Sequence, residues 1–426
     1  MVDNKNFKQT EIGRIPKEWE VVKLGEIVRK DKFAIVDGPF GTQLHSNEYV
    51  DSGVPLIRVN NINKDGSFNF NELVYISEIK FEKLKRSAVY PGDILLAKTG
   101  ATIGKVSIFP KEFEKGLIAS SCAKISINKN KAYTIYVFYF LLSEFGYKQI
   151  LALSTGATRP TINLNPISKI TIPLPPLPEQ KKIAEILSTV DTAIEKVDEA
   201  IAKTERIKKG LMQELLTKGI GHKEFKNTEI GWIPKEWEVV KVGKIGNVIT
   251  GTTPSTKVKE YWGEGYLFVT PTDFSNNKYV YKTERSVTQR GVEKARIIPK
   301  DSVMVTCIAS IGEIAMSSEE CITNQQINSI VCGEKANPHY VYYVMKFRKN
   351  VLKKWAGITT SPIVKKSLFE EFPLPLPPLS EQHKIVEILS TVDKRLELLR
   401  NKKEKLTRIK KGLMNDLLTG KKRVKV

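Results

Sequence analysis

Between Glu179 and Lys218 one stripe of positions recurs at helical spacing: Ile183, Ile186, Val190, Ala193, Val197, Ala200, Thr204, Ile207 and Leu211, widened by Leu187, Ile194, Ile201 and Leu215. No proline interrupts the stretch, and its one glycine, Gly210, comes near the end. The pattern predicts a single helix of about forty residues, a rod of roughly 60 Å. A helix this long with one apolar face needs a partner of similar length to cover it. The stretch from Glu381 to Thr419 supplies one, with Ile385, Ile388, Leu389, Val392, Leu396, Leu399, Leu406, Ile409, Leu413 and Leu417 in the same seam.

The two stretches are copies. At an offset of 202 residues, 17 of the 23 positions from Pro173 to Glu195 are identical, as are 10 of 12 from Arg206 to Thr217. A second block, Thr10 to Ile27 against Thr228 to Ile245, matches at 15 of 18 positions with an offset of 218. The regions enclosed by these frames differ in length and content, 145 residues for 28–172 and 129 for 246–374. The frame is duplicated and its filling has diverged. Only residues 219–227 join the first helix to the second frame, and nine residues reach about 30 Å at most. Antiparallel pairing of the helices removes the need for a longer span and gives the pseudo-two-fold symmetry of two like halves burying like surfaces.

Within the first variable region, Val54–Asn60, Asp93–Lys98, Gly104–Phe109 and Ser168–Leu174 read as strands. Tyr133–Leu151 reads as one aromatic-rich helix facing the core, and residues 154–167 as a polar loop. The second region follows the same plan: 300–317 parallels 92–109, Asn337–Lys353 replaces the aromatic helix, and 355–366 stands where the 154–167 loop stood. PLPPLP at 173–178 and PLPP at 375–378 read as rigid joints leading into the helices. The fold class is mixed α/β (α+β), with two similar globular domains joined by two long antiparallel coiled-coil helices. The segments are 1–27 (first frame), 28–172 (first domain), 173–220 (central helical spacer), 221–245 (second frame), 246–374 (second domain) and 375–426 (distal helix and basic tail).

Charge adds a partner class. The chain carries a net +21, of which the two variable regions hold +7 and +5 and the tail 421–426 a further +4. Clustered Lys and Arg gain from displacing counterions on a polyanion such as DNA. The N-terminus lacks a signal-peptide pattern and no apolar run is long enough to span a bilayer, so a cytoplasmic location without membrane contact is expected. Cys122, Cys307, Cys321 and Cys332 form no CxxC pair and the four histidines are scattered, which favours buried reduced thiols over a metal site.

Motifs for chemistry on this chain are missing. Gly100–Val106 has three residues between its glycines where a phosphate loop needs four, and Val106 where a Ser or Thr should hold the metal. Asn165-Pro166-Ile167 and Asn337-Pro338-His339 stop short of a methyltransferase tetrapeptide.

The arrangement resembles the DNA-specificity subunit of type I restriction-modification enzymes. The likeness rests on IGRIPKEWEVVKLGEI and IGWIPKEWEVVKVGKI, on two PLPPL-x-EQ stretches running into long helices, and on DGPFGTQLHSNEYVDSGVPLIRVNNI (37–62) and TGTTPST (250–256) at the starts of the variable regions. It implies two target-recognition domains, each reading half of a split, asymmetric site on double-stranded DNA, with the helices fixing the gap. It also implies two docked methyltransferase subunits and restriction/translocase subunits, which use S-adenosylmethionine, ATP and Mg, with no cofactor and no metal on this chain.

Base edges need paired donors and acceptors. By loop position and side-chain type the candidate DNA-binding residues are Arg58, Asn60, Asn61, Lys98, Thr99, Arg159, Thr161 and Asn163 in the first domain. In the second they are Thr270, Thr272, Asp273, Thr306, Ser310, Asn324, Gln325, Gln326, Thr359 and Thr360. Helix–helix packing is expected from Ile183, Ile186, Leu187, Val190, Ile194, Val197, Ile201, Ile385, Ile388, Leu389, Val392, Leu396, Leu399 and Leu406. The competing reading is a coiled-coil adapter joining two protein-binding domains without touching DNA; it explains the helices but not the charge on the variable regions.

Overall fold

The computed structural model describes residues 6–39, 43–275, 277–356 and 362–425. The chain divides into two compact units, Met1–Val197 with Lys402–Val426, and Asp198–Asn401. The long helices, Leu177–Leu215 and Leu379–Leu417, each contribute one half to either unit. Both begin two residues before the predicted Glu179 and Glu381, because leucine and then Pro178 or Ser380 fit a first turn whose backbone N–H groups have no intrahelical acceptor.

In the first unit, Phe7–Thr10 and Gly13–Pro16 form a hairpin, and Glu20–Lys23 pairs antiparallel with Thr171–Leu174. The frame is thereby stitched to the end of the variable region it precedes. That region holds an antiparallel sheet in the order Val106–Ile108, Ile94–Ala97, Cys122–Ile125, Ile35–Asp37. A five-stranded sheet lies beside it in the order Tyr49–Val50, Val74–Ile76, Val54–Ile57, Gly116–Ile118, Ala88–Val89, with one parallel pairing, Leu117 opposite Leu56. The strands are shorter than the sequence suggested, and part of the 154–167 loop becomes a one-turn helix, Leu164–Ser168.

The predicted helix 133–151 is two helices, Thr134–Leu142 and Glu144–Ala152. Ser143 breaks it: its Oγ donates to Phe140 O at 2.6 Å and accepts from Gly146 N at 3.3 Å, ending one helix and capping the next. Gly146 permits the sharp join, since a Cβ there would stand 2.3 Å from Phe140 O. The second unit divides its helix similarly, into Pro338–Phe347 and Lys349–Trp355.

The second unit repeats the plan with its own pairings. Glu238–Lys241 pairs with Pro373–Leu376. Its sheets run Gly246–Thr250, Ile327–Cys332, Val303–Thr306, Ile314–Ser317, Tyr279–Val280 and Arg285–Val287, Trp262–Val269, Cys321–Thr323, Ile297–Ile298.

The identity of the frames has a structural cause. Trp19, fully buried, donates its indole N–H to Glu179 Oε2 at 3.1 Å, and Trp237 donates to Glu381 Oε2 at 3.0 Å. Gln180 accepts from Tyr133 N and donates to Pro175 O; Gln382 accepts from Asn337 N and donates to Pro377 O. Tyr136 and Tyr340 donate to the carbonyls of Pro173 and Pro375. The repeated Trp, Glu, Gln and Pro residues thus lock sheet, helix start and domain together, satisfying polar groups that burial would otherwise leave costly.

Within each unit the helices are antiparallel. In the first, Asp191 meets Lys410 at 2.6 Å and Glu179 meets Arg423 at 2.6 Å. In the second, Lys208 meets Asp393 at 2.5 Å and Glu205 meets Arg400 at 2.7 Å. Ile183, Ala184 and Leu187 share a core with Met414, Leu417 and Leu418, and Ile385 and Leu389 share one with Leu215 and Leu216. Val197 and Leu396 are buried, whereas Ile186, Val190, Ile194, Ile201, Val392, Leu399 and Leu406 are only partly covered. Ile388 departs from the expected packing at 37 % exposure, with Val386 turned to the core in its neighbourhood. The basic tail is also less free than its composition implied: Lys422 pairs with Asp416, and Arg423 with Glu18 and Glu179.

Candidate nucleic-acid interface

Backbone hydrogen bonds gather several strand ends in each unit. In the first, Ala119 N donates to Ile57 O at 2.8 Å, Lys98 N to Ser121 O at 2.9 Å, Ile162 N to Lys98 O at 3.0 Å, Gly38 N to Cys122 O at 3.4 Å and Gly100 N to Pro160 O at 2.8 Å. In the second, Asn324 N donates to Val269 O at 3.1 Å, Cys307 N to Gln326 O at 2.8 Å, Val364 N to Cys307 O at 2.8 Å, Gly251 N to Ile327 O at 3.1 Å and Ala309 N to Pro362 O at 3.3 Å. These are the same five joins, made by matched positions. Gly38 and Gly251 are required by the close approach: a Cβ on either would lie 2.1 Å from Ala119 C or Asn324 O.

The matched positions carry different side chains. Arg58 stands where the second unit has Thr270, Lys98 where it has Cys307, and Ala119, Ser120 and Ser121 where it has Asn324, Gln325 and Gln326. The Arg58 guanidinium donates to Glu72 O at 2.6 Å, while its Nε is buried with no hydrogen-bond partner among the described residues. Asn60 is exposed and within 3.5 Å of Glu72. Arg159 is exposed and leans over Gly100, Thr99 and Thr161 form a bridge, and Asn163 is exposed at a helix start without capping it. Gln325 is exposed and accepts from Thr253 Oγ1 at 2.6 Å, Asn324 and Gln326 bond each other, and Ser310 is exposed. Thr270 and Thr272 join hydroxyls at 2.8 Å.

Four of the expected contacts are committed elsewhere. Asn61, with 0 % exposure, accepts from Arg58 N and donates to the carbonyls of Asn69 and Asn71, so its amide holds the turn. Asp273 does the equivalent work, accepting from Thr270 N and Glu284 N. Thr306, also at 0 %, donates to Ser310 O and accepts from Glu313 N. Lys98 is buried in an ion pair with Asp37 at 2.8 Å. Thr359 and Thr360 lie outside the described residues.

Two arginines were missed. Arg86, its side chain half-exposed, binds Asp37 at 2.7 Å, and Arg296 donates to Thr250 O at 2.8 Å. Each brings a guanidinium to the end of the first strand of its domain. Their common signal was position: both precede a short apolar pair and a Pro-x-Asp turn, Pro91 to Asp93 and Pro299 to Asp301. Burial pushes the Cys122 and Cys307 thiols up to about 12, which favours the protonated thiol at neutral pH. Among the described residues no group of His, Cys, Asp and Glu is arranged to hold a metal ion, and no helix is long and apolar enough to cross a membrane. The strand ends offer hydrogen-bond donors and acceptors with cationic flanks, the chemistry of groove and phosphate contacts.

Residues 16–205 and 234–408 match the family described as the type I restriction modification DNA specificity domain. The chain belongs to this family. A specificity subunit named for the MjaX type I restriction enzyme of Methanocaldococcus jannaschii is 32 % identical over 99 % of this chain and 97 % of its own length. The MjaVIII specificity subunit of the same organism is 29 % identical over 99 % of this chain and 96 % of its own. In fold, the type I restriction-modification S subunit from M. genitalium superposes with a TM-score of 0.61 at 15 % identity, covering 98 % of this chain and 97 % of that one. Two specificity domains in one chain fit recognition of a bipartite DNA sequence.

Proposed function

We propose that each variable domain reads one half of an asymmetric, interrupted site on double-stranded DNA through its gathered strand ends, and that the paired helices set the unread gap. The observation that carries this reading is the position-for-position match of five backbone joins bearing unlike side chains, Arg58 against Thr270 and Ala119–Ser121 against Asn324–Gln326. One scaffold with two sets of donors and acceptors suits two different half-sites. Arg58, Asn60, Thr99, Arg159, Thr161, Asn163 and Arg86 serve the first domain. Thr270, Thr272, Ser310, Asn324, Gln325, Gln326 and Arg296 serve the second, with phosphates held by the flanking Lys and Arg.

This specificity chain chooses the site and does no chemistry itself. It works with two methyltransferase subunits docked on the helices, and with restriction/translocase subunits, and these partners bring S-adenosylmethionine, ATP and Mg. The test is long-read adenine-methylation mapping in cells that express the methyltransferase partner with or without this chain. A split, asymmetric methylated motif that disappears with the chain is the expected result; an active partner that yields no such motif would overturn the reading.

A further inference from the structure

Arg285 opens the strand Arg285–Val287, where it pairs with Phe268, two residues before Thr270. Its guanidinium carbon lies 3.5 Å from the centre of the Trp262 ring, the spacing of a planar cation stacked on an indole, and 5.8 Å from that of Phe268. The two rings meet edge to face, with centroids 4.9 Å apart and planes at 89°. Phe268 is buried with Val287, Val292 and Ile322, and Trp262 packs against that cluster while donating its indole N–H to Ser255 O at 3.1 Å. The seat under the guanidinium is therefore fixed before any ligand arrives.

The backbone around the seat is tied to the strand ends. Thr283 Oγ1 donates to Arg285 O at 2.6 Å, and Glu284 N donates to Asp273 Oδ1 at 3.0 Å, which links 283–285 to the Thr270–Asp273 turn. The loop that carries Ser255 leaves the first strand of the domain at Gly251. It is pinned there by Thr252 N on Thr323 O at 2.8 Å and by Thr253 Oγ1 on Gln325 at 2.6 Å. Both segments that frame Arg285 thus spring from the gathered strand ends.

Arg290 and Arg296 are already engaged, the one with Glu260 and the other with Thr250 O. Arg285 is exposed, and among the described residues no carboxylate or carbonyl accepts from its N–H groups. A guanidinium stacked on one face and open along its edge presents a fork of donors in a set plane. The first domain builds nothing like it. Val74 stands opposite Leu56 where Arg285 stands opposite Phe268, and Tyr49 opposite Ile76 where Trp262 stands opposite Val287. Phosphates are common to both half-sites and give no reason for one domain alone to build a planar seat. A base pair present in one half-site only does.

Resting on the reading of one half-site per domain, we propose that Arg285 reads a guanine in the half-site of the second domain, two of its N–H groups donating to O6 and N7 in the major groove. Trp262 is the positioning residue: it touches no base and holds the plane of the fork.

The test is long-read adenine-methylation mapping of the full chain with its methyltransferase partner, in the wild type, Arg285→Ala, Arg285→Lys, Trp262→Leu and Trp262→Phe. Exchange of residues 246–374 identifies which half of the motif belongs to the second domain. Arg285→Ala should admit other pairs at one G·C position of that half, with discrimination there reduced about tenfold, and leave the other half and the thermal melt unchanged. Arg285→Lys should relax the same position, because an ammonium keeps the charge but not the fork. Trp262→Leu should relax it too, and Trp262→Phe should restore part of the discrimination by returning an aromatic face. A lower melt in Trp262→Leu with the motif intact would show a tryptophan that only fills space, and overturns its positioning role. An unchanged motif in Arg285→Ala, or a second half-site without a G·C pair, overturns the proposal. So does a uniform fall in methylation that Arg285→Lys reverses, which marks a phosphate contact. Should Arg285→Ala methylate too little to map, Arg285→Lys decides between the same outcomes. A wild type that yields no split motif overturns the reading of DNA itself, a failure distinct from these.

Discussion

Asn61 shows what residue type alone conceals. In the sequence it is one more amide in a polar run; in the fold all its hydrogen-bonding capacity is turned inward, and the exposed neighbour Asn60 is the one left to face a ligand. Asn61→Ala strands the Arg58 N–H and two carbonyls, so it should destabilise the chain by about 1–3 kcal/mol in denaturant melts. Arg159→Ala should do the reverse, leaving the melt unchanged while relaxing the methylated motif at one position, a discrimination loss of about 1–3 kcal/mol. Loss of specificity without loss of stability separates readers from scaffold. The polar loops were legible as the place to look, but which side chains face inward depends on backbone joins between distant segments, such as Gly38 with Cys122, and no local pattern encodes that. Asp65 adds a pH effect. Burial opposes its ionisation, but the Ser67 hydroxyl and N–H and the Lys410 ammonium outweigh it, holding the carboxyl below its ordinary 3.8. A depressed acid stabilises the fold above its unfolded pKa and loses that contribution as pH falls through the folded one. Below about pH 4 the wild type should therefore lose stability more steeply than Asp65→Asn, as acid titration followed by circular dichroism would show.

At the scale of elements, the long helices were the most legible feature, because a seam repeated over many turns leaves little choice of structure. Their starts came out two residues early and their packing narrower than the stripe, with Ile388 on the rim. The aromatic stretch reads as one unbroken helix because Ser143 and Gly146 are unremarkable inside a helical pattern; the hydroxyl's return bond to Phe140 O is what ends the turn. Gly210 and Gly412 occupy equivalent places in the two helices, and among the described residues a Cβ at either would meet nothing within 4 Å. With no contact to disturb, the gain comes from restricting the unfolded chain. Gly210→Ala and Gly412→Ala should each stabilise by about 0.5–1 kcal/mol, read as a raised midpoint with an unchanged denaturant slope.

Across the whole molecule, the duplication that the sequence displayed as two offsets becomes two units, each with its own core, frame hydrogen bonds and antiparallel helix ends. The first unit draws on residues before 198 and after 401, so none of its core depends on the filling of the second variable region. Trp237, Glu381 and Gln382, which hold that region to its frame, lie outside 246–374 and repeat Trp19, Glu179 and Gln180. Residues 246–374 can therefore be exchanged for the corresponding stretch of another family member while the frame still makes its bonds. If each domain reads its own half-site, methylation mapping of the hybrid should return a motif with one half unchanged and the other replaced. A hybrid that folds and supports methylation but alters both halves would mean that the domains read DNA jointly, and the matched strand ends would then be a shared scaffold rather than two separate readers.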